Sequence, residues 1–378
     1  MQAPPPKIVF VVTEDWFFAS HFLPMARAAR EMRLEVTVVA RVREHRAAIE
    51  ATGARVVALE AERRSLNPIR AGYAAGALAA ILERERPGIV HCIALKGILV
   101  GGTAAMMARV PRRVFALTGL GLLGARTDFT GRSARLAART LVRALATGRT
   151  RYLFENPDDA RLLGLDPDDR ERVTLVGGAG VDPDAFPVHP LPHASPLRVA
   201  LVARMLWSKG VDVAVEAVRL ARARGVEVEL SLYGAPDPSN PRAIPEATLL
   251  EWAAEPGVAW HGQTGDVAAV WRDHHVCCLP SRGGEGLPRT LIEGAACGRA
   301  VLTTDVPGCR TLVRGGIEGL LVPPGEAGPL ADALVRMAAD PGLVARLGAA
   351  ARERVLGGYT ERHVMEALKS LYGEMLAT

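Results

Sequence analysis

The chain is poor in several things that define other protein classes. It has five cysteines in 378 residues (Cys92, Cys277, Cys278, Cys297 and Cys309), an odd number without repeated spacing. That excludes a disulfide framework and a thiolate zinc site, and reads as reduced, cytosolic core thiols. The longest weakly polar run, 97–108, is too short to span a bilayer, so a transmembrane protein is excluded. No secretory leader is expected, because Met1-Gln2-Ala3-Pro4-Pro5-Pro6-Lys7 runs straight into the strand-like Ile8-Val9-Phe10-Val11-Val12. Lysine is scarce: of 46 basic residues only Lys7, Lys96, Lys209 and Lys369 are lysine and 42 are arginine. A single arginine is therefore weak evidence of function, and a lysine in a loop is informative. Acid is missing altogether between Asp128 and Glu155.

With 49% hydrophobic and 23% charged residues, the composition is that of a soluble globular protein, and its length suits two domains. The net charge of +5 is unevenly divided, +7 over residues 1–190 and −2 over the remainder. An anionic partner is expected for the first half.

Short β-branched runs alternate with amphipathic stretches, the pattern of βαβ units and parallel sheets. Strands are expected at 7–13, 34–40, 55–59, 88–91, 113–117, 151–155 and 173–176, then at 198–203, 227–233, 258–260, 275–279, 299–303 and 319–322. Between the two series, Pro187, Pro190, Pro192 and Pro196 exclude helix interior and central strand. The fold class expected is α/β, two doubly wound Rossmann-like domains facing across a cleft. The first covers 1–186, a Pro-rich linker 187–197, the second domain 198–358, and a C-terminal helix in 359–378 packs back toward the first. Ligands of such sheets sit beyond the carboxyl ends of the strands.

The run Gly119-Leu120-Gly121-Leu122-Leu123-Gly124 fits the dinucleotide pattern G-x-G-x-x-G. It follows the fifth strand instead of the first, and no acidic residue for a ribose follows at the usual distance. A glycine-rich turn lining the cleft accounts for it better. Asp166-Pro167-Asp168 and Asp182-Pro183-Asp184 spell D-x-D, a metal-diphosphate spacing, but their central prolines favour ordinary turns. His274 and His275 have no further partner at ligand spacing, so no metal is expected.

The second half carries a denser signal. Ser281-Arg282-Gly283-Gly284-Glu285-Gly286-Leu287-Pro288 follows a strand and feeds a helix. Glycines there let backbone N–H groups approach an anion at the positive end of a helix. Glu285 and Glu293 would repel a phosphate, so their natural partners are hydroxyl groups. Phosphate together with polyol hydroxyls describes a sugar nucleotide; the plainer alternative is a capping carboxylate and a solvated helix face. Arg204 and Lys209, leaving the first strand of the same domain, would balance a diphosphate without a metal.

These features together with Gly180-Val181-Asp182…Phe186, Ala296-Cys297-Gly298-Arg299-Ala300-Val301 and Gly308 resemble the family 4 retaining glycosyltransferases, which have the glycosyltransferase B fold. The resemblance implies that Arg204 and Lys209 hold the donor diphosphate, Glu285 the sugar and Glu293 the ribose. Gly283, Gly284, Gly286, Leu287 and Gly234 complete the donor site. It implies no cofactor, the UDP-sugar being a substrate, and no nucleic-acid partner. In the first half, His21-Phe22-Leu23-Pro24, Ser65, Asn67, Lys96, Gly119 and Gly121 are similar to acceptor-site residues of bacterial enzymes that extend a sugar on undecaprenyl diphosphate, N-acetylhexosaminyl transferases among them. Many family members carry a histidine after the fifth strand; here Leu117-Thr118-Gly119 stands there, and His21 or Lys96 is expected to do part of its work.

A lipid-linked acceptor implies membrane contact. A helix over 132–146 would gather Arg132, Arg135, Arg139 and Arg143 within about 80° of arc, with Ala134, Leu141 and Leu145 opposite. Such a helix can sit on an anionic leaflet, or be an ordinary surface helix of an arginine-rich protein. The expected protein is a peripheral enzyme on the cytoplasmic face of the inner membrane, moving a sugar from a UDP-sugar to a polyprenyl-diphosphate-linked saccharide. The alternatives are a soluble or lipopolysaccharide-core acceptor, and a nucleotide-binding regulator without chemistry.

Overall fold

The computed structural model describes residues 5–59, 68–119, 129–237 and 240–377. Among them, thirteen strands form two wholly parallel sheets, each in its own compact unit. Each of the thirteen expected strand segments overlaps one of them.

The first unit comprises Met1–Gly180 and Glu361–Thr378. Its strands are β1 (Lys7–Glu14), β2 (Glu35–Arg41), β3 (Arg55–Ala58), β4 (Ile89–Ile93), β5 (Arg113–Leu117), β6 (Thr150–Phe154) and β7 (Val173–Leu175), in the order β3-β2-β1-β4-β5-β6-β7. The helices between them are α1 (Asp15–His21), α2 (Leu23–Glu31), α3 (Arg46–Glu50), α4 (Pro68–Glu85), α5 (Ala94–Met107), α6 (Phe129–Ala144) and α7 (Pro157–Leu162). β4 and β5 are buried at every position, as strands covered on both faces must be. The order reverses between β1 and β4, which opens a crevice at the strands' carboxyl ends.

The second unit, Val181–Thr360, repeats the plan. Strands β8 (Leu197–Val202), β9 (Val228–Tyr233), β10 (Val258–Trp260), β11 (Val276–Leu279), β12 (Ala300–Thr304) and β13 (Gly319–Val322) lie in the order β10-β9-β8-β11-β12-β13. Their helices are α8 (Val211–Ala223), α9 (Glu246–Ala253), α10 (Val267–Asp273), α11 (Arg289–Ala296), α12 (Pro307–Leu312), α13 (Ala327–Ala339) and α14 (Pro341–Leu356). One apolar cluster around Leu201, Leu230 and Leu302 and another around Trp271, Leu291 and Val301 are packed within this unit.

The division falls at Gly180/Val181, ahead of the Pro-rich segment, and that segment is fastened inside the second unit. The fully buried Arg299 donates to the His189 carbonyl, Arg352 donates to the Phe186 carbonyl at 2.9 Å, and the His275 ring meets the Pro192 carbonyl at 3.3 Å. The last helix, α15 (Glu361–Ala377), is counted with the first unit. It buries Val364, Leu368, Leu371, Tyr372 and Met375 in the same core as Met25 and Ala29 of α2. Arg27–Glu361 and Lys369–Glu31 ion pairs edge that seam, and Tyr372 Oη lies 2.7 Å from Nδ1 of His91 on β4.

All five cysteines are buried thiols. Burial pushes Cys92, Cys278 and Cys309 up to about 12, which keeps them protonated at neutral pH. Among the described residues no helix is long and apolar enough to cross a membrane.

Candidate active site

In the second unit the strand order reverses between β8 and β11, and the loops leaving these two strands carry the residues singled out in the sequence. After β8, Leu206 bridges to Ala243, Trp207–Lys209 make one 3₁₀ turn, and Gly210 starts α8 at φ 70°. A Cβ at Gly210 would lie 2.0 Å from the Pro280 carbonyl oxygen, so only glycine lets the two loops touch. They are then stitched together. The Arg282 N–H donates to the Ser208 carbonyl at 2.8 Å, and the Arg282 guanidinium forks onto Asp212 at 2.8 and 2.7 Å. Neither Arg282 nor Asp212 stood out in the sequence, where one arginine among 42 carries little signal.

The join brings a cation and a carboxylate together. Lys209 Nζ is 2.7 Å from Glu285 Oε2, with the two side chains 16% and 22% exposed, so the pair is only partly screened by water. The other carboxylate oxygen, Oε1, accepts the Ser281 hydroxyl at 3.1 Å. Gly283 and Gly284, both half-buried, sit at φ 96° and 87°, a conformation open to glycine, and the Gly283 N–H donates to Ser281 Oγ at 3.1 Å. The Glu285–Gly286 segment is set by Gly308 of α12, whose Cβ would stand 1.8 Å from the Gly286 carbonyl oxygen. Leu287 anchors the far end of the loop in the core at 5% exposure, and Pro288 caps α11 without a side-chain hydrogen bond. The Leu291 N–H closes the first turn of α11 onto the Pro288 carbonyl at 3.1 Å, and the positive end of the helix faces the glycine turn.

The remaining residues expected at the donor site lie on the same unit. Arg204 pairs with Asp237 at 3.3 Å and is itself exposed. Glu293, one turn into α11, is buried and accepts from Arg289 Nε at 2.6 Å; burial raises its carboxyl above the ordinary range, against the pull of Arg289. Gly234, at φ 137°, would place a Cβ 1.8 Å from the Ala203 carbonyl oxygen, which fixes the end of β9 against that of β8. Beside it Trp260 Nε1 donates to the Gly234 carbonyl at 2.8 Å, and the Tyr233 and His261 rings stack 4.6 Å apart at 15°. The stacked pair carries no signal in the sequence, since Tyr233 ends β9 and His261 follows β10.

In the first unit, His21 ends α1 with Nδ1 2.6 Å from Ser20 Oγ and its ring 5.1 Å from Phe17. Lys96 lies in the first turn of α5, and Gly119 follows β5 at φ 107°. Ser65, Asn67 and Gly121 lie outside the described residues. Asp15, directly after β1, was missed by the sequence reading and is fully buried. Burial pushes its carboxyl up, but the N–H groups of Arg43, His45 and Trp16 all donate to it and hold it below the usual range.

The arginine stripe of α6 is divided in its contacts. Arg143 donates to the Gly164 carbonyl at 2.9 Å and the Arg139 guanidinium packs on Gly164, whereas Arg132 is exposed. Leu145, expected opposite the arginines with Leu141, is 5% exposed in the core, and Leu141 is 45% exposed with Leu136 at 64%. The helix uses part of its basic face for packing, because burying Ala138 and Val142 turns the adjoining Arg139 toward the 164 turn. Asp166 and Asp182, the first members of the two D-x-D runs, accept the N–H groups of Asp168 and Asp184 at 3.0 and 3.1 Å. His274 and His275 are buried against backbone groups of Val270 and Arg198.

Two doubly wound units, with a glycine turn, a cation and a carboxylate at the switch point of the second, define a two-domain Rossmann-like α/β protein. Residues 7–155 match the glycosyl transferase 4-like family and residues 196–340 the glycosyl transferases group 1, and the chain belongs to the glycosyltransferases built from these two domains. It is 24% identical over 372 residues to the N,N'-diacetylbacillosaminyl-diphospho-undecaprenol alpha-1,3-N-acetylgalactosaminyltransferase of Campylobacter jejuni, spanning 94% of this chain and 96% of that one. It is 33% identical over 211 residues to the putative colanic acid biosynthesis glycosyltransferase WcaL of Escherichia coli, 53% of this chain and 51% of that one. Among solved structures it is similar to Anabaena Alr3699/HepE in complex with UDP-glucose (TM-score 0.77, 16% identity, 97% and 99% covered). It is also similar to a sucrose-phosphate synthase from Thermosynechococcus elongatus (TM-score 0.78, 21% identity, 99% and 100% covered). The fold is that of glycosyltransferase B proteins, as the sequence implied.

Proposed function

We propose that the chain is a retaining glycosyltransferase that moves an N-acetylhexosamine from a UDP-sugar to a saccharide on a polyprenyl diphosphate, in bacterial surface-polysaccharide or glycan assembly. The observation that carries this reading is the Lys209–Glu285 pair at the glycine turn, 2.7 Å apart at the switch point of the second sheet. A diphosphate needs a cation and free N–H groups; a sugar hydroxyl needs a carboxylate acceptor. The UDP-glucose complex of HepE and the acceptor named for the Campylobacter relative support the donor and acceptor classes.

In this reading Lys209, Arg204 and the turn around Gly284, Gly286 and Leu287 bind the diphosphate, with Gly283 shaping that turn, Glu285 accepts from the donor sugar, and Glu293 accepts from the ribose. Gly234 keeps the β8 and β9 ends close enough for the nucleotide. The C1–O bond to the diphosphate breaks, the acceptor oxygen bonds C1 from the same face, and its proton passes to the departing phosphate oxygen. Lys209 and Arg204 stabilise the charge that develops there, so no metal is required. His21, Lys96 and Gly119, with Ser65, Asn67 and Gly121, serve the acceptor. Arg132 and Arg135, with what Arg139 and Arg143 still offer to solvent, hold the enzyme peripherally on the anionic cytoplasmic face of the inner membrane.

The test is transfer of label from UDP-N-acetylgalactosamine, and from other UDP-sugars, to a synthetic undecaprenyl-diphosphate-linked saccharide, with the anomer read by NMR. Label in the lipid extract with an α-linkage is expected. Transfer only to soluble or core saccharides overturns the lipid acceptor, and tight UDP binding without transfer to any acceptor overturns the enzyme.

A further inference from the structure

One buried hydroxyl beside this site has no role in the reading above. Ser281 follows β11 and Pro280 and is fully buried. Its Oγ accepts the Gly283 N–H at 3.1 Å and donates to Glu285 Oε1 at 3.1 Å, while its carbonyl accepts from the buried Thr304 hydroxyl at 2.5 Å. A serine hydroxyl has one proton. The Gly283 N–H takes a lone pair, so that proton is free for the carboxylate. Glu285 is thus held from two sides, by an uncharged donor of its own loop on Oε1 and by the Lys209 cation of the other loop on Oε2.

We propose that Ser281 is a positioning residue for sugar recognition: it retains Glu285 Oε1 while Oε2 exchanges Lys209 for a sugar hydroxyl. The proposal rests on the UDP-sugar reading of the site. An incoming diphosphate competes with Oε2 for the Lys209 charge, and a carboxylate held only by Lys209 would follow the ammonium toward the phosphates. Anchored on Oε1 by Ser281, it stays in place, and its released oxygen is the acceptor presented to the sugar. The two oxygens of one carboxylate therefore have separate tasks, fixed by separate loops.

The signature is a loss confined to the sugar. Ser281→Ala is compared with wild type for the dissociation constant of UDP by calorimetry and for kcat with UDP-N-acetylgalactosamine. Thr304→Val, which removes the anchor of the Ser281 carbonyl without touching the carboxylate, is the second variant. Ser281→Ala is expected to lower kcat about 10- to 100-fold, the scale of a hydrogen bond to a charged group. UDP affinity should stay within about 2-fold. Thr304→Val should keep kcat within about 3-fold, since it acts on folding and not on the carboxylate. Equal weakening of UDP binding and turnover by Ser281→Ala, equal kcat losses in the two variants, or unchanged turnover in Ser281→Ala would each overturn the proposal. A wild-type chain that transfers no sugar from any UDP-sugar defeats the underlying reading instead, and that result is seen before any variant is made.

Discussion

Lys209 and Glu285, 76 positions apart in the sequence, meet at 2.7 Å because Gly210 leaves room for the Pro280 carbonyl. In the chain without ligand each neutralises the other. In the proposed function an incoming diphosphate draws Lys209 away from a carboxylate that stays in place, so removing Lys209 and removing the Glu285 charge are predicted to have opposite effects on anion affinity.

Glu285→Gln is predicted to abolish sugar transfer, at least 100-fold in kcat, while UDP binds as tightly as in wild type or tighter. The amide no longer competes for the Lys209 charge. Calorimetry with UDP beside a turnover assay separates the two effects, and unchanged turnover would remove Glu285 from the site.

Gly308→Ala is predicted to disturb the loop without touching any charged group. Its Cβ would sit 1.8 Å from the Gly286 carbonyl oxygen and 3.0 Å from that of Glu285, both backbone atoms. The expected outcome is a loss of about 1–3 kcal/mol in stability by urea melting, together with weakened UDP binding.

The arginines of α6 should divide by what they touch. Arg132→Glu, at an exposed position, is expected to weaken flotation with anionic vesicles roughly 10-fold at low salt, each basic residue near a surface adding on the order of 1 kcal/mol. Arg139→Ala, which strips the packing over Gly164, should cost stability more than vesicle binding. Vesicle binding that is indifferent to salt and to Arg132 would contradict membrane contact through this helix.

His91 supplies a pH dependence. Burial lowers it to about 3 from 6.5, so the folded chain keeps it neutral while the unfolded chain protonates below 6.5. Its contribution to stability is intact above about 6.5 and is lost as pH falls toward 3, by about 2 kcal/mol at pH 5. His91→Phe, which keeps a ring beside Phe10 and gives up the Tyr372 contact, should show a flatter fall in urea midpoint between pH 7 and 5 than wild type. Parallel slopes would contradict it.

The strands were legible because runs such as Ile8-Val9-Phe10-Val11-Val12 must be buried on both faces, and the loops of the candidate site because glycines and the rare Lys209 mark them. What the sequence could not show is which charges cancel. Arg204 with Asp237, Lys209 with Glu285 and Arg289 with Glu293 are pairings decided by loop contact or by helix spacing once the boundaries are set. Arg282 and Asp212 were hidden for the same reason, the arginine by its abundance and the aspartate by its place at the start of a helix. The unit boundary at Gly180/Val181 was masked by the proline cluster, whose backbone carbonyls turn out to be satisfied by Arg299 and His275 of the second unit.

Metal dependence is a further test of the proposed function: if Arg204 and Lys209 are the counter-charges of the donor diphosphate, transfer is predicted to persist in EDTA. Complete loss restored by manganese would return attention to Asp166-Asp168 or Asp182-Asp184.

If the two stitched loops form a UDP-sugar site, UDP titration of Lys209→Ala against wild type must show it. Removing the cation leaves Glu285 facing the diphosphate unneutralised. The account predicts a 10- to 100-fold rise in the UDP dissociation constant, about 1.4–2.7 kcal/mol, with a weaker salt dependence than wild type. An unchanged dissociation constant in a folded Lys209→Ala variant would contradict it.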